Sequence, residues 1–235
     1  MTIETIIPWR GGCPWRERAL EFVRPLYRWP VTVAEAPLGP WCKAAAVMPA
    51  VEASPADVLV IADADVFVEG GLDLAVEAVA QGAPWAIPHS LVHRLSERGT
   101  AAVLAGADWR KEELERGTYH GYAGGGIVVA PRETLLDIPM PRVMGWGSED
   151  EAWAAALKLL AGRPTRGTAA LVHLWHPPQP RDNGLWGSPE GRALVARFNA
   201  AARDPVAMRH LIEEAGAGWQ QTSASRAGSS SAQAA

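Results

Sequence analysis

The chain has 235 residues, 48% of them hydrophobic and 20% charged, an ordinary globular composition with length for one large domain or two small ones. A formal net charge of -4 supplies no basic face for a nucleic acid, and a divalent cation is the more natural positive partner. No stretch approaches the roughly 18 consecutive apolar residues of a membrane span, and the N-terminus MTIETIIPWR lacks a basic region followed by a long apolar one, so a soluble, unsecreted chain is expected.

In chain order, Thr2 to Ile7 is a short β-branched run ending at Pro8, and the Gly11-Gly12 turn leads into helical spacing from Trp15 to Tyr27. Val31 to Ala34 reads as a second strand and Lys43 to Glu52 as a helix. Asp57 to Ala62 is a continuous apolar run of the kind found in a sheet covered on both faces. Leu72 to Gln81 is helix-compatible, and Trp85 to Pro88 reads as another buried strand. This alternation predicts an α/β fold with a single open, mostly parallel sheet flanked by helices. Ligands collect beyond the carboxyl ends of such strands.

Polarity rises from Ser90 to His120, with short helical pieces expected at Thr100 to Ala105 and Arg110 to Arg116. Gly124 to Val129 enters a strand, Pro131 to Leu136 is a short helix, Glu149 to Leu160 a clear helix and Ala169 to His173 a final strand. Helical stretches at Glu190 to Ala202 and Pro205 to Ala215 close a domain spanning 1–221. The Ser/Ala/Gly-rich tail, 222–235, is too poor in apolar bulk to offset its ordering entropy and is expected to be disordered. Cys13 and Cys42 form neither a CxxC pair nor a disulfide framework and suit a reducing cytoplasm.

Four constellations could carry chemistry. Asp63-Ala64-Asp65 follows the apolar strand, where two carboxylates can face a hard cation that neutralises a departing diphosphate; the bland alternative is a polar turn ending a strand. Gly145-Trp146-Gly147-Ser148-Glu149-Asp150 sets a glycine turn and an indole before a helix that opens with carboxylates. Ser148 with Glu151 fits a capping box, which accounts for those two but not for Gly-Trp-Gly, a wall suited to stacking on a sugar. An aspartate there could accept a proton from an attacking hydroxyl. His173-Leu174-Trp175-His176-Pro177 follows the last strand, and one or both imidazoles could complete a metal site begun by the aspartates. His89, His93, His120 and His210 read as surface or core residues. Arg10, Arg16 and Lys43 could each meet a nucleotide or diphosphate, or be solvated charges at element boundaries. Gly124-Gly125-Gly126 would let a substrate approach the backbone closely, or form a bulged strand entry.

In this order the pieces resemble the GT-A glycosyltransferases, particularly the inverting family 2 type and relatives with a galactosyltransferase-like GWGxED segment. The resemblance runs from Ile6-Ile7-Pro8 through Lys43, Asp63-Ala64-Asp65, Gly125-Gly126 and Gly145 to Asp150, and ends at His173 to His176. It implies a nucleotide-diphospho-sugar transferase fold and metal-dependent inverting transfer from a UDP-sugar to a hydroxyl acceptor, with Mn2+ or Mg2+ as cofactor. It also implies a donor pocket of Pro8, Arg10, Arg16, Lys43, Asp63, Gly125, Gly126 and Trp146, and metal ligands among Asp63, Asp65, His173 and His176. Asp150 would be the general base and Glu149 would orient substrate. The acceptor region matches nothing comparable. Two other readings stand beside it: a haloacid-dehalogenase-like phosphohydrolase with Asp63 as nucleophile, and a non-catalytic sugar-binding module, supported by the 11 tryptophans.

Overall fold

A computed structural model describes residues 1–121, 124–147, 149–178, 185 and 187–214. The expected tail and the capping residue Ser148 lie outside the described residues.

Strand β1 (Ile3–Trp9) leads through a turn to helix α1 (Pro14–Val23), which Pro14 opens at its first position, where the missing N–H costs nothing. There follow β2 (Val31–Glu35), α2 (Lys43–Ala53), β3 (Val58–Ala62), β4 (Val66–Val68), α3 (Leu72–Ala80) and β5 (Ala86–Arg94). The second half carries α4 (Glu97–Leu104), β6 (Tyr119–His120), β7 (Ile127–Pro131), α5 (Arg132–Asp137), α6 (Glu149–Leu160), β8 (Thr165–His173) and α7 (Pro189–Ala200), with a last helical stretch at 205–214.

These strands form one sheet in the order β2-β1-β3-β7-β5-β8-β4, with β6 on β5. β1, β2, β3, β5 and β8 run in one direction, and β4, β6 and β7 run against them. The central strand shows why its sequence is uninterruptedly apolar. Leu59 and Ile61 pack into a core with α2, α5, α6 and α7, whereas Val58, Val60 and Ala62 pack into a second core with α1, α3 and α4 on the other face. Alternation along a strand serves both faces, so every position must be apolar.

Three differences from the sequence reading bear on the site. First, β4 was hidden in the residues after Asp65; it crosses to the far edge of the sheet and pairs antiparallel with β8, Val66 opposite His173. Second, β5 extends well past Pro88 to Arg94, because its polar second half pairs with β8 and ends with Arg94 opposite His173. Third, the helix expected at Arg110 to Arg116 is only a 3-10 turn, Trp109–Lys111; Leu114 bridges Leu95 and Glu113 accepts from Ser96 and Arg98, which draws that segment out extended.

Candidate metal and nucleotide-sugar site

The strand ends converge on a cleft of about 520 Å³ lined from every motif singled out above except the glycine run. Asp63 and Asp65 enter it because β3 and β4 lie in different parts of the sheet, so the connecting residues span the gap. The Asp63 amide donates to the carbonyl of Gly126 (2.9 Å) at the entry to β7, and the Asp65 carbonyl accepts from the Leu174 amide (2.8 Å) at the exit of β8. That second bond lays the segment from His173 to His176 alongside Asp65.

One carboxylate and two imidazoles result, with ligand atoms all within 4.8 Å of one another. His173 Nε2 lies 3.9 Å from Asp65 Oδ1, and His176 Nε2 lies 3.3 Å from Asp65 Oδ2. Nδ1 of His173 is 2.8 Å from the Leu174 carbonyl and Nδ1 of His176 is 2.9 Å from the Pro177 carbonyl. A carbonyl only accepts, so each Nδ1 carries the hydrogen and each Nε2 keeps its lone pair toward Asp65. Burial holds the His173 imidazole neutral, its pKa lowered to about 4, and lowers that of His176 as well. Burial also opposes ionisation of Asp65, but its surroundings, His173 and His176 together with the guanidinium groups of Arg16 and Arg94, outweigh it and keep the carboxyl below its ordinary range. A carboxylate and two neutral imidazoles with their free lone pairs directed to one place are the donor types that transition-type cations take. The donor set therefore fits a divalent transition-type cation.

Two arginines reach these ligands. Arg16 places Nε 3.6 Å from Asp65 Oδ2 and stacks its guanidinium 4.0 Å from the Trp146 ring centroid, while Arg94 donates to His173 Nε2 at 2.7 Å.

A second charged group adjoins the first. Lys43, the first residue of α2, is buried and bridges Asp63 Oδ1 (2.7 Å) and Asp150 Oδ1 (2.9 Å). Burial disfavours its charge, yet Asp150, Asp63 and Glu149 hold its pKa well above the ordinary lysine value. Asp150 sits at the start of α6 with 28% of its side-chain surface open. Its burial raises the carboxyl pKa despite Lys43, which strengthens it as a proton acceptor. Glu149 is buried, has no hydrogen-bond partner for Oε2 among the described residues, and has its pKa raised to about 7 by burial and then by Asp150.

The glycine motifs have identifiable work. A Cβ on Gly124 would lie 2.1 Å from the Asp150 carbonyl oxygen, so this position lets β7's entry close directly on the first turn of α6. Gly145 and Gly147 both have φ near +95°, flanking Trp146 in a turn that other residues would strain. The Gly145 amide donates to the Trp41 carbonyl at 2.7 Å, and the two indoles stack at 4.5 Å, 8° apart.

Among the sequence-predicted residues, Pro8, Arg10, Arg16, Lys43, Asp63, Asp65, Trp146, Glu149, Asp150, His173 and His176 line the cleft. Gly125 and Gly126 line a smaller adjoining chamber of about 350 Å³. Asp63 stays outside the group that could hold a cation, its carboxylate engaged by Lys43. Arg10 donates to the carbonyls of Pro37 and Gly39, each at 2.7 Å, bracing the loop before α2. The sequence reading missed Arg94, Arg116 and Glu115, which lie in the region left blank, and the partnership of Trp41 with Trp146. The ends of β5 and β8 carried the signal for Arg94, had β5 been traced past Pro88.

No protein-family model matches the chain, and no curated protein matches it. Among solved structures it is similar to glucosyl-3-phosphoglycerate synthase from Mycobacterium tuberculosis, in a complex with Mn2+, UDP and phosphoglyceric acid. That match has 16% identity, covers 86% of this chain and 78% of that one, and has a TM-score of 0.50. A Drosophila β-1,4-galactosyltransferase 7 variant, with manganese, UDP-Gal and xylobiose, matches at 14% identity over 77% of this chain and 76% of that one, TM-score 0.45. The first likeness establishes a GT-A fold for this chain.

Proposed function

We propose that this protein is a metal-dependent glycosyltransferase that moves a sugar from a UDP-sugar to a hydroxyl acceptor with inversion. The observation that carries this reading is the adjacency, in one cleft, of a cation-binding group (Asp65, His173 and His176) and a separate proton-accepting group built on Asp150. The fold supports it, since the M. tuberculosis protein of that fold is a synthase crystallised with Mn2+ and UDP. Such a fold alone does not specify a function.

In this reading Asp65, His173 and His176 would hold Mn2+ or Mg2+, which when bound neutralises the charge that grows on a departing diphosphate. Arg16 adds a fixed positive group beside the same place. Pro8 and Arg10 border the nucleotide, and Trp146, held by its glycine turn and between Trp41 and the Arg16 guanidinium, borders the donor with its ring edge. Lys43 remains protonated and keeps Asp63 and Asp150 apart and aligned. Asp150 takes the proton of the acceptor hydroxyl as that oxygen attacks the anomeric carbon from the face opposite the diphosphate. Glu149, protonated up to about pH 7, can donate a hydrogen bond to a sugar oxygen. Direct displacement by a single base, without a protein nucleophile, inverts the anomeric centre. Two free cysteines, one of them buried, support a reducing cytoplasmic setting.

A UDP-sugar panel with Mn2+, read by UDP release and by product anomer analysis, tests this function. We expect release with at least one sugar, abolished by chelation, with Asp150→Asn binding UDP and Mn2+ normally but losing transfer. Full transfer by Asp150→Asn would remove that residue as the base. Metal-independent phosphate release from aryl phosphates, lost in Asp63→Asn, would favour a phosphohydrolase instead.

A further inference from the structure

The smaller chamber shares Asp63, Asp150 and His173 with the main cleft and extends it toward the middle of β5. One group in its lining has no role in the reaction just described. His89 is completely buried, and neither Nδ1 nor Nε2 has a hydrogen-bond partner among the described residues. Buried polar atoms are normally satisfied, and an imidazole left without partners costs stability that leucine or methionine at the same place would not. The backbone is irregular at this point. The pairing of β5 with β8 shifts register between Ile87 and His89 and again between His89 and Leu91; such irregularities re-aim a side chain beside a site. Two glycines pack on the ring edge, where a larger residue would crowd the imidazole. A Cβ on Gly121 would lie 3.1 Å from Nε2, and one on Gly126 3.4 Å from Cε1.

We propose that His89 is a specificity-determining residue, hydrogen-bonding a hydroxyl of the glycosyl group seated in this chamber between Asp150 and the glycine entry of β7. The proposal rests on the donor reading above. Burial lowers the imidazole pKa to about 4, so the ring offers one N–H donor and one lone pair. A hydroxyl both gives and takes a hydrogen bond, which matches that pair. A sugar presenting its hydroxyl elsewhere leaves the imidazole unsatisfied, and this penalty is what discriminates between epimers.

Calorimetric titration of the full chain with Mn2+, using UDP, UDP-glucose, UDP-galactose and their N-acetylhexosamine counterparts, tests the assignment. We expect the wild type to rank the sugars. His89→Leu should bind UDP within about threefold of wild type yet lose roughly tenfold or more for the preferred UDP-sugar, flattening the ranking. His89→Gln, which keeps a donor and an acceptor on a different frame, should bind UDP normally and reorder the ranking. It serves as the test if the leucine variant does not fold. Equal affinity of the wild type for all the sugars, or an unchanged ranking in the folded variants, overturns the proposal alone. Failure of the wild type to bind UDP overturns the donor reading and this inference together.

Discussion

Glu149 couples site chemistry to stability most directly. Its carboxyl has a pKa raised from 4.5 to about 7 by burial and by the neighbouring Asp150. Between these two values the folded chain holds a proton that the unfolded chain has lost. Stability therefore falls as pH rises through that window and has taken the full penalty above it. Glu149→Gln removes the ionisation. Thermal melts should coincide with wild type near pH 5 and lie roughly 3–8 °C higher near pH 8; an equal separation at both values would refute the assignment. At this scale the sequence was legible where residue type alone suggests a chemistry. Asp65, His173 and His176 could be nominated because carboxylate and imidazole are metal donors wherever they occur, and the structure brings them together. The division of labour between Asp63 and Asp65 could not be read, because it depends on Lys43 arriving from the start of a distant helix. His89 looked like filler, since its missing partners are visible only in three dimensions.

At the level of elements, the contact between the entry of β7 and the first turn of α6 sets the position of Asp150. Gly124→Ala would drive a methyl group to 2.1 Å from the Asp150 carbonyl oxygen, which only backbone movement can relieve. Overpacking of this kind costs about 1–3 kcal/mol. We expect urea unfolding to show that loss together with transfer reduced at least tenfold and UDP binding little changed. Wild-type turnover in this variant would show that α6 is positioned by other contacts. The glycine run was recognisable in the sequence as a place of close approach, but what approaches is the chain itself. Long apolar runs such as β3 were legible because both faces of the sheet are covered. β4 and the second half of β5 were not, because one is only three residues long and the other alternates polar side chains along a cleft.

At the scale of the whole molecule, the sheet separates two cores and the site lies beyond its strand ends, drawing on residues from β1 to the segment after β8. Ligands that bind only the folded chain must stabilise all of it. If the proposed site binds them, UDP with Mn2+ at a hundredfold excess over Kd should contribute about 2.7 kcal/mol, which for a domain of this size corresponds to an expected Tm increase of roughly 5–10 °C. Chelation should abolish the increase, and Asp65→Ala should lack it even with Mn2+ present. An equal increase without metal would contradict the assigned cation site. The paired indoles of Trp41 and Trp146 have a further, optical meaning. Stacked face to face at the wall of the cleft, they behave as coupled chromophores, unlike the separate tryptophans of the core. Their shared ultraviolet signal belongs to the site itself, so any occupant that parts the two rings announces its arrival in the intrinsic spectrum of the unlabelled protein.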